Sequence, residues 1–211
     1  MSSAKLFVVS APSGCGKGTI LAEVMKRRDV YYSISYTTRK KREGEQEGVN
    51  YFFVDRKQFE KMIDDHDFLE YARYVDNYYG TPKIPVFEQL ARGRDVILEI
   101  DTEGAFQVKK EFSDAVLIFI LPPSVTELFR RLEKRGTESK ESLKQRTILA
   151  KREMTCSYRF DYVVLNDDLD KAVDDMLLLM NAVREGTPEA EHFSTDGDDA
   201  NRLIEEVVTN A

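Results

Sequence analysis

The stretch Ser10–Ile20 reads SAPSGCGKGTI and follows the apolar run Leu6–Val9. Gly14 and Gly16 permit a tight turn, so successive N–H groups can converge on an anion where a helix begins. Lys17 is then placed to reach the β- and γ-phosphates of a nucleotide. Two positions depart from the pattern G-x-x-x-x-G-K-[ST]: Ala11 takes the place of the first glycine and Gly18 that of the magnesium-binding hydroxyl. Thr19 lies one residue out of register. Magnesium would then depend on phosphates, water and carboxylates elsewhere, for which Glu99 and Asp101, at the end of VILEID, are the candidates. An acid that ends a strand also serves to cap a turn.

A second group of charges lies in SISYTTRKKREGEQEGVNYFFVD, Ser33–Asp55. Arg39, Arg42 and Tyr51 suit a monophosphate, because guanidinium forks pair bidentately with phosphate oxygens. A basic stretch alone is more often a solvated face. What raises this one is the company of FLEYARYVDNYYGTP, Phe68–Pro82, which supplies Glu70, Tyr79 and Thr81. Guanine offers N1–H and an N2 amine as donors and O6 as acceptor. Carboxylates at Glu70 and Asp101 can accept from the donors, and hydroxyls at Ser35 and Thr81 can donate to O6. Adenine has no N1–H and would leave such a carboxylate unpaired.

A third cluster, RRLEKRGTESKESLKQR, holds Arg130, Arg131, Arg135 and Arg146. Pairing with Glu133 along a helix face is one reading. The other is a set of arginines that close over the charge of a phosphoryl group in transfer.

The elements that must position these residues alternate. Strands are predicted at Leu6–Ser10, Val96–Ile100, Val116–Leu121 and Tyr162–Leu165, nearly all apolar as buried parallel strands are. Helices are predicted over 17–28, 57–65, 85–92, 104–112, 125–135, 141–157 and 169–185, with Ser124 and Glu127 forming a capping box and Gly136 a stop. Asp167 or Asp168 caps the last of these, whose apolar stripe is core. Strand–helix alternation predicts a parallel α/β sheet flanked by helices. Tyr31–Asp76 reads as a mainly β insertion, and Gly136–Arg152, polar and charged, as a mobile flap. Beyond Gly186 the chain turns acidic and predicts a flexible tail with at most a short helix near Leu203–Val208.

The 211 residues suffice for one sizeable domain with small inserted parts. A net charge of −7 disfavours broad nucleic-acid binding. No apolar run is long enough to span a membrane, and the N-terminus lacks a signal-type stretch. Two cysteines, Cys15 and Cys156, and two distant histidines, His66 and His192, make no zinc pattern. They predict a reducing, cytoplasmic setting. Cys15 is read as a small side chain that fits its loop rather than as a reactive thiol.

With these motifs in view the chain resembles the guanylate kinase family of P-loop nucleoside monophosphate kinases from about Lys5 to Glu185. The motifs that carry the resemblance are SAPSGCGKGT, TTRKKREGE…GVNY, FLEYARYVDNYYGTP, LEIDTEGA, LPPS…RLEKRGTES and LNDDLDKA. The resemblance implies a P-loop core (1–34, 82–135 and 153–186) with a GMP-binding insertion (35–81) and a short helical lid (136–152), leaving 187–211 as the acidic tail. It implies that Ser13, Gly14, Cys15, Gly16, Lys17, Gly18 and Thr19 bind ATP, with Asn166 near its base or ribose. Lys17, Arg131, Arg135 and Arg146 would be catalytic. Ser35, Glu70, Thr81 and Asp101 would contact guanine, while Arg39, Arg42, Tyr51 and Tyr79 hold the GMP phosphate. Glu99 would support magnesium through water. Glu103 stands where the family often has glutamine, which weakens any role for it.

The implied reaction is ATP plus GMP giving ADP plus GDP, with dGMP as a further acceptor, in purine nucleotide metabolism. Its partners are small molecules rather than nucleic acid or membrane. Both the insertion and the flap are expected to close over substrates and exclude water. Two alternatives stay open: a non-catalytic scaffold of the same fold that binds proteins, and a related P-loop kinase with another phosphate acceptor. Retention of Lys17 and the arginines speaks against the first, and the Glu70–Asp101 pair against the second.

Overall fold

The computed structural model describes residues 3–74, 76–134, 150 and 152–209. Its Cα packing divides the chain into two units, Val9–Asp29 with Val116–Ala211, and Ser3–Val8 with Val30–Ala115. The expected lid over 136–152 therefore lies outside the described residues, apart from Ala150 and Arg152.

Parallel strands form as the apolar runs require. The strand β1 (Leu6–Ser10) is buried throughout. Within one unit, β2 (Tyr31–Tyr32) runs parallel to β7 (Val96–Glu99), with Tyr32 opposite Ile97. Tyr31 and Tyr32, expected at the start of the insertion, thus belong to this sheet. Within the other unit, β8 (Val116–Leu121) runs parallel to β9 (Tyr162–Leu165), and every residue of β8 is buried. Two buried faces explain why these strands show no alternation.

The insertion builds a separate four-stranded sheet in the order β4-β3-β6-β5. Its strands are β3 (Tyr36–Thr37), β4 (Phe52–Phe53), β5 (Phe68–Tyr74) and β6 (Asn77–Pro82). The antiparallel β5–β6 pair sets Glu70 opposite Thr81 and Ala72 opposite Tyr79, after an irregularity between Phe68 and Glu70. Behind the sheet lies α2 (Arg56–Asp64), capped by Asp55, whose carboxylate accepts from the Gln58 N–H. Its one buried residue, Phe59, stacks on Phe68 at 4.5 Å and on Tyr78 at 5.2 Å. This aromatic packing holds the hairpin and its register in place.

The other helices start close to where their caps place them. α1 is Lys17–Arg27, α3 is Lys83–Ala91, α4 is Thr102–Glu111, α5 is Val125–Lys134 and α6 is Leu169–Glu185. Asp101 caps α4 and Asp168 caps α6, each accepting from the N–H three residues on. At α5 Ser124 Oγ accepts from the Glu127 N–H at 3.0 Å, while the Glu127 side chain turns to arginines instead of completing the capping box.

Residues 187–209, expected as a flexible acidic tail, form a 3₁₀ turn over Pro188–Phe193 and a helix α7 over Asp198–Thr209. Ala190, Phe193, Ala200, Ile204 and Val207 are buried. Ser194 bridges antiparallel to Tyr162, and the Thr195 N–H donates to the Asp161 carbonyl, so the segment seals the edge of β9.

Candidate active site

The turn between β1 and α1 needs both of its glycines. Gly14 and Gly16 have φ of 92° and 91°, in the left-handed region that side chains rarely adopt. A Cβ on Gly14 would stand 2.7 Å from Leu132 Cδ2, and one on Gly16 would stand 2.8 Å from Asn166 Nδ2. Gly16 is the N-cap of α1 with no side-chain cap, and its carbonyl accepts from the Thr19 and Ile20 N–H groups as the helix begins. Lys17 opens the helix, and Gly18 and Thr19 follow it on an exposed face. The Ser13 N–H points at Glu153 Oε2 across 3.4 Å, which brings a carboxylate to the loop.

Cys15 belongs to the scaffold of this loop. Its thiol is fully buried, donates to the Ile120 carbonyl at 3.4 Å, and is pushed by that burial up to about 12. A neutral thiol with a carbonyl partner fits the reading of a residue that packs, and any contact it makes with a nucleotide comes through its backbone.

Asn166 follows β9 and is buried, and its amide donates to the Cys15 carbonyl at 2.6 Å. It braces the loop directly, a role that the expected contact with the ATP base or ribose did not include. Its backbone carbonyl accepts from Arg131 Nη2 at 3.3 Å, and Arg131 Nε donates to Glu127 at 2.9 Å. Glu127 also takes both forks of Arg130 at 2.7 and 2.8 Å, and the Arg130 and Arg131 bonds hold its carboxyl down at about 2. The structure therefore joins Gly16, Asn166 and Arg131 in one unit. Arg135 and Arg146 lie outside the described residues.

The second unit gathers the carboxylates. Glu70 is 6% exposed, and a Cβ on Gly104 would meet Glu70 Oε2 at 2.8 Å and Asp101 Oδ1 at 3.2 Å. Both carboxylates thus converge on the backbone of Gly104 in the first turn of α4. Burial raises the Glu70 pKa to about 7, the Asp101 charge adds to the rise, and the Thr81 hydrogen bond opposes it. Thr81 Oγ1 donates to Glu70 Oε1 at 2.5 Å. Ser35 is half-buried, and its carbonyl accepts from the Phe52 N–H.

The expected phosphate cradle lies in the same unit. Arg39 donates from Nη1 and Nη2 to the two oxygens of Glu45 at 3.0 and 2.7 Å. It lies 5.5 Å from the centroid of Tyr51 and 5.8 Å from that of Phe53. Tyr51 and Tyr79 meet edge to face at 5.8 Å, and burial raises the Tyr51 phenol above its ordinary value. The Arg42 N–H donates to Glu45, while the Arg42 side chain is exposed. Arg39, Tyr51 and Tyr79 are therefore assembled, with Arg42 at their margin.

Sequence reasoning missed Glu45 and Tyr32, and it read Glu127 only as half of a capping box. Glu45 stood six residues from Arg39 within the very stretch considered, and the turn through Arg42 to Glu45 folds it back. Tyr32 donates its phenol to Glu99 Oε2 at 2.7 Å, and its pKa is raised by burial and by that carboxylate. No pattern in the chain announces that contact, because it follows from the pairing of β2 with β7.

Comparison with known proteins agrees with the architecture. The family model described as guanylate kinase matches residues 3–183. The guanylate kinase of Carboxydothermus hydrogenoformans is 55% identical over 183 residues, 86% of this chain and 90% of that protein. A guanylate kinase of Thermus thermophilus is 51% identical over 180 residues, 85% of this chain and 82% of that one. That of Deinococcus radiodurans is 43% identical over 207 residues, 98% of this chain and 87% of its own. Among solved structures, guanylate kinase from Anaplasma phagocytophilum superimposes with a TM-score of 0.73 at 31% identity, covering 87% of each chain. A glycine-pinned phosphate loop, a carboxylate pair at the start of α4 and matches of this extent lead to one conclusion: the chain belongs to the guanylate kinase family.

Proposed function

We propose that the protein is an ATP:GMP phosphotransferase, moving the γ-phosphoryl group of ATP to GMP to give ADP and GDP, and accepting dGMP as well. The observation that carries the choice of acceptor is the convergence of Glu70 and Asp101 on Gly104. Two carboxylates at one place suit a base with two adjacent donors, N1–H and the N2 amine. Thr81 would fix the Glu70 carboxylate, leaving Ser35 to donate to O6. Arg39, Arg42, Tyr51 and Tyr79 would bind the GMP phosphate.

The GMP phosphate oxygen is itself the anionic nucleophile, so the chain need supply neither a covalent nucleophile nor a strong base. Its work is positioning and charge neutralisation. The loop over residues 13–19 and the ammonium of Lys17 would hold the ATP phosphates, and Arg131 would approach the transferring group together with Arg135 and Arg146. Glu127 and the Asn166 carbonyl orient Arg131 for that task. Among the described residues no three of His, Cys, Asp and Glu gather as a metal cage. Magnesium would be held chiefly by nucleotide phosphates and water, with Glu99 supporting it through water. When bound, it offsets phosphate charge as the bond to the γ-phosphorus is exchanged. Among the described residues no helix is long and apolar enough to cross a membrane.

The test is ADP release from ATP and magnesium with GMP, dGMP, AMP, UMP or dTMP as acceptor. GMP and dGMP should support turnover, and AMP should not. Lys17→Ala should abolish transfer to every acceptor, whereas Arg39→Ala should mainly raise the KM for GMP. Equal rates with AMP and GMP would overturn the guanine assignment.

A further inference from the structure

Glu99 ends β7 half-buried, and among the described residues its carboxylate takes one hydrogen bond, from the Tyr32 phenol at 2.7 Å. The strand pairing explains the reach. Tyr32 stands opposite Ile97 in the parallel β2–β7 pair, and residues two apart on a strand share a face. The phenol therefore lies on the Glu99 face, one step short of it along the strand.

A carboxylate at a strand end rotates among several rotamers when nothing fixes it. The phenol removes that freedom by engaging Oε2, and it leaves Oε1 without a partner among the described residues. A tyrosine kept only for packing would not need its hydroxyl aimed at an acid, and phenylalanine would fill the same space.

We infer that Tyr32 is a positioning residue for Glu99, holding one carboxylate oxygen so that the other stays available for the support of magnesium-bound water proposed for Glu99. The inference rests on the reading of the protein as an ATP:GMP phosphotransferase. It concerns orientation, and the phenol exchanges no proton with substrate.

Tyr32→Phe removes one oxygen and keeps the ring, and it is compared with Glu99→Gln and with the double variant. Two readouts are taken: the magnesium concentration that gives half-maximal rate at saturating ATP and GMP, and Mn²⁺ binding with ADP and GMP followed by electron paramagnetic resonance of the free ion. Tyr32→Phe should raise the metal requirement and weaken Mn²⁺ binding by about tenfold, the scale seen when the partner that orients a metal-supporting group is lost. The KM for GMP should stay within about twofold of the parent's, a smaller change than the loss of one hydrogen bond in the GMP site would give. The double variant should be no worse than Glu99→Gln.

Unchanged metal dependence in Tyr32→Phe, with a tenfold effect in Glu99→Gln, overturns the inference and leaves the phosphotransferase reading intact. A lowered Tm with unchanged metal dependence overturns it too, since the phenol would then be structural. Unchanged metal dependence in both variants removes the role of Glu99 and the inference with it. Absence of GMP-dependent ADP release by the parent protein is the separate result that defeats the functional reading.

Discussion

Thr81 and Glu70 stand opposite each other across the β5–β6 hairpin, and the Thr81 hydroxyl donates to Glu70 Oε1 at 2.5 Å. The bond favours the ionised carboxylate, yet burial outweighs it and the Glu70 pKa rises from 4.5 to about 7. A carboxyl raised on folding binds its proton more tightly in the folded state. The stabilisation it confers is complete below pH 4.5 and is lost as pH rises through about 7.

Glu70→Gln should therefore flatten the stability profile between pH 5 and pH 8. The full shift corresponds to about 3 kcal/mol, and a measurable part of it should appear as a fall in parent Tm over that range relative to the variant. Binding of GMP should show the opposite trend, because N1–H and the N2 amine favour the ionised carboxylate. Calorimetric titration should find tighter GMP binding at pH 8 than at pH 6 in the parent and a smaller difference in Glu70→Gln. Parallel Tm profiles for the two proteins would show that Glu70 ionises with an ordinary pKa.

Gly16 and Asn166 form a second coupled pair. Gly16→Ala puts a Cβ at φ 91° and 2.8 Å from Asn166 Nδ2. The left-handed backbone alone costs about 1–2 kcal/mol. Displacing the Asn166 amide also deprives the buried Cys15 carbonyl of its 2.6 Å bond. The KM for ATP should rise at least about tenfold with the KM for GMP little changed. Adding Asn166→Ala should recover part of the loss if the clash dominates, and steady-state kinetics on the two single variants and the double would decide it.

How far the sequence foretold this arrangement varies from part to part. The loop was legible because Gly14, Gly16 and Lys17 act locally, within one strand–turn–helix. The Glu70–Asp101 pair was legible as chemistry, since guanine demands acceptors, but their meeting at Gly104 depends on packing of α4 against β5 that no spacing reveals. Thr81 was assigned to the base, and its bond to Glu70 went unread because the hairpin register sets it. Tyr32 and Glu45 went unread for the same reason: each acts through a partner fixed by strand pairing or by a turn.

Residues beyond Gly186 were misjudged by composition. Acidic content suggested a flexible tail, yet Ala200, Ile204 and Val207 repeat at helical spacing and are buried in the structure. Ile204 is fully buried, so Ile204→Ala should cost about 2–4 kcal/mol in denaturant unfolding. A change below about 0.5 kcal/mol would place this helix among exposed surface elements.

Arg39 and Glu45 yield a prediction whose sign is informative. Glu45 grips the Nη1–Nη2 end of the guanidinium and takes the Arg42 N–H as well, and those bonds hold its carboxyl at about 2. Tyr51 and Phe53 lie against the same guanidinium. With its end engaged, Arg39 is oriented before any phosphate arrives, which lowers the entropy lost on binding. Glu45→Gln keeps the size and weakens the charge-assisted bonds, so the KM for GMP should rise about 3- to 10-fold while the KM for ATP holds. Arg39→Lys should do worse, because an ammonium cannot pair with carboxylate and phosphate through one planar fork. Kinetics across both variants separate two roles for the acid. A raised KM in Glu45→Gln means that Glu45 organises the cradle, and a lowered one means that it competes with the GMP phosphate for Arg39.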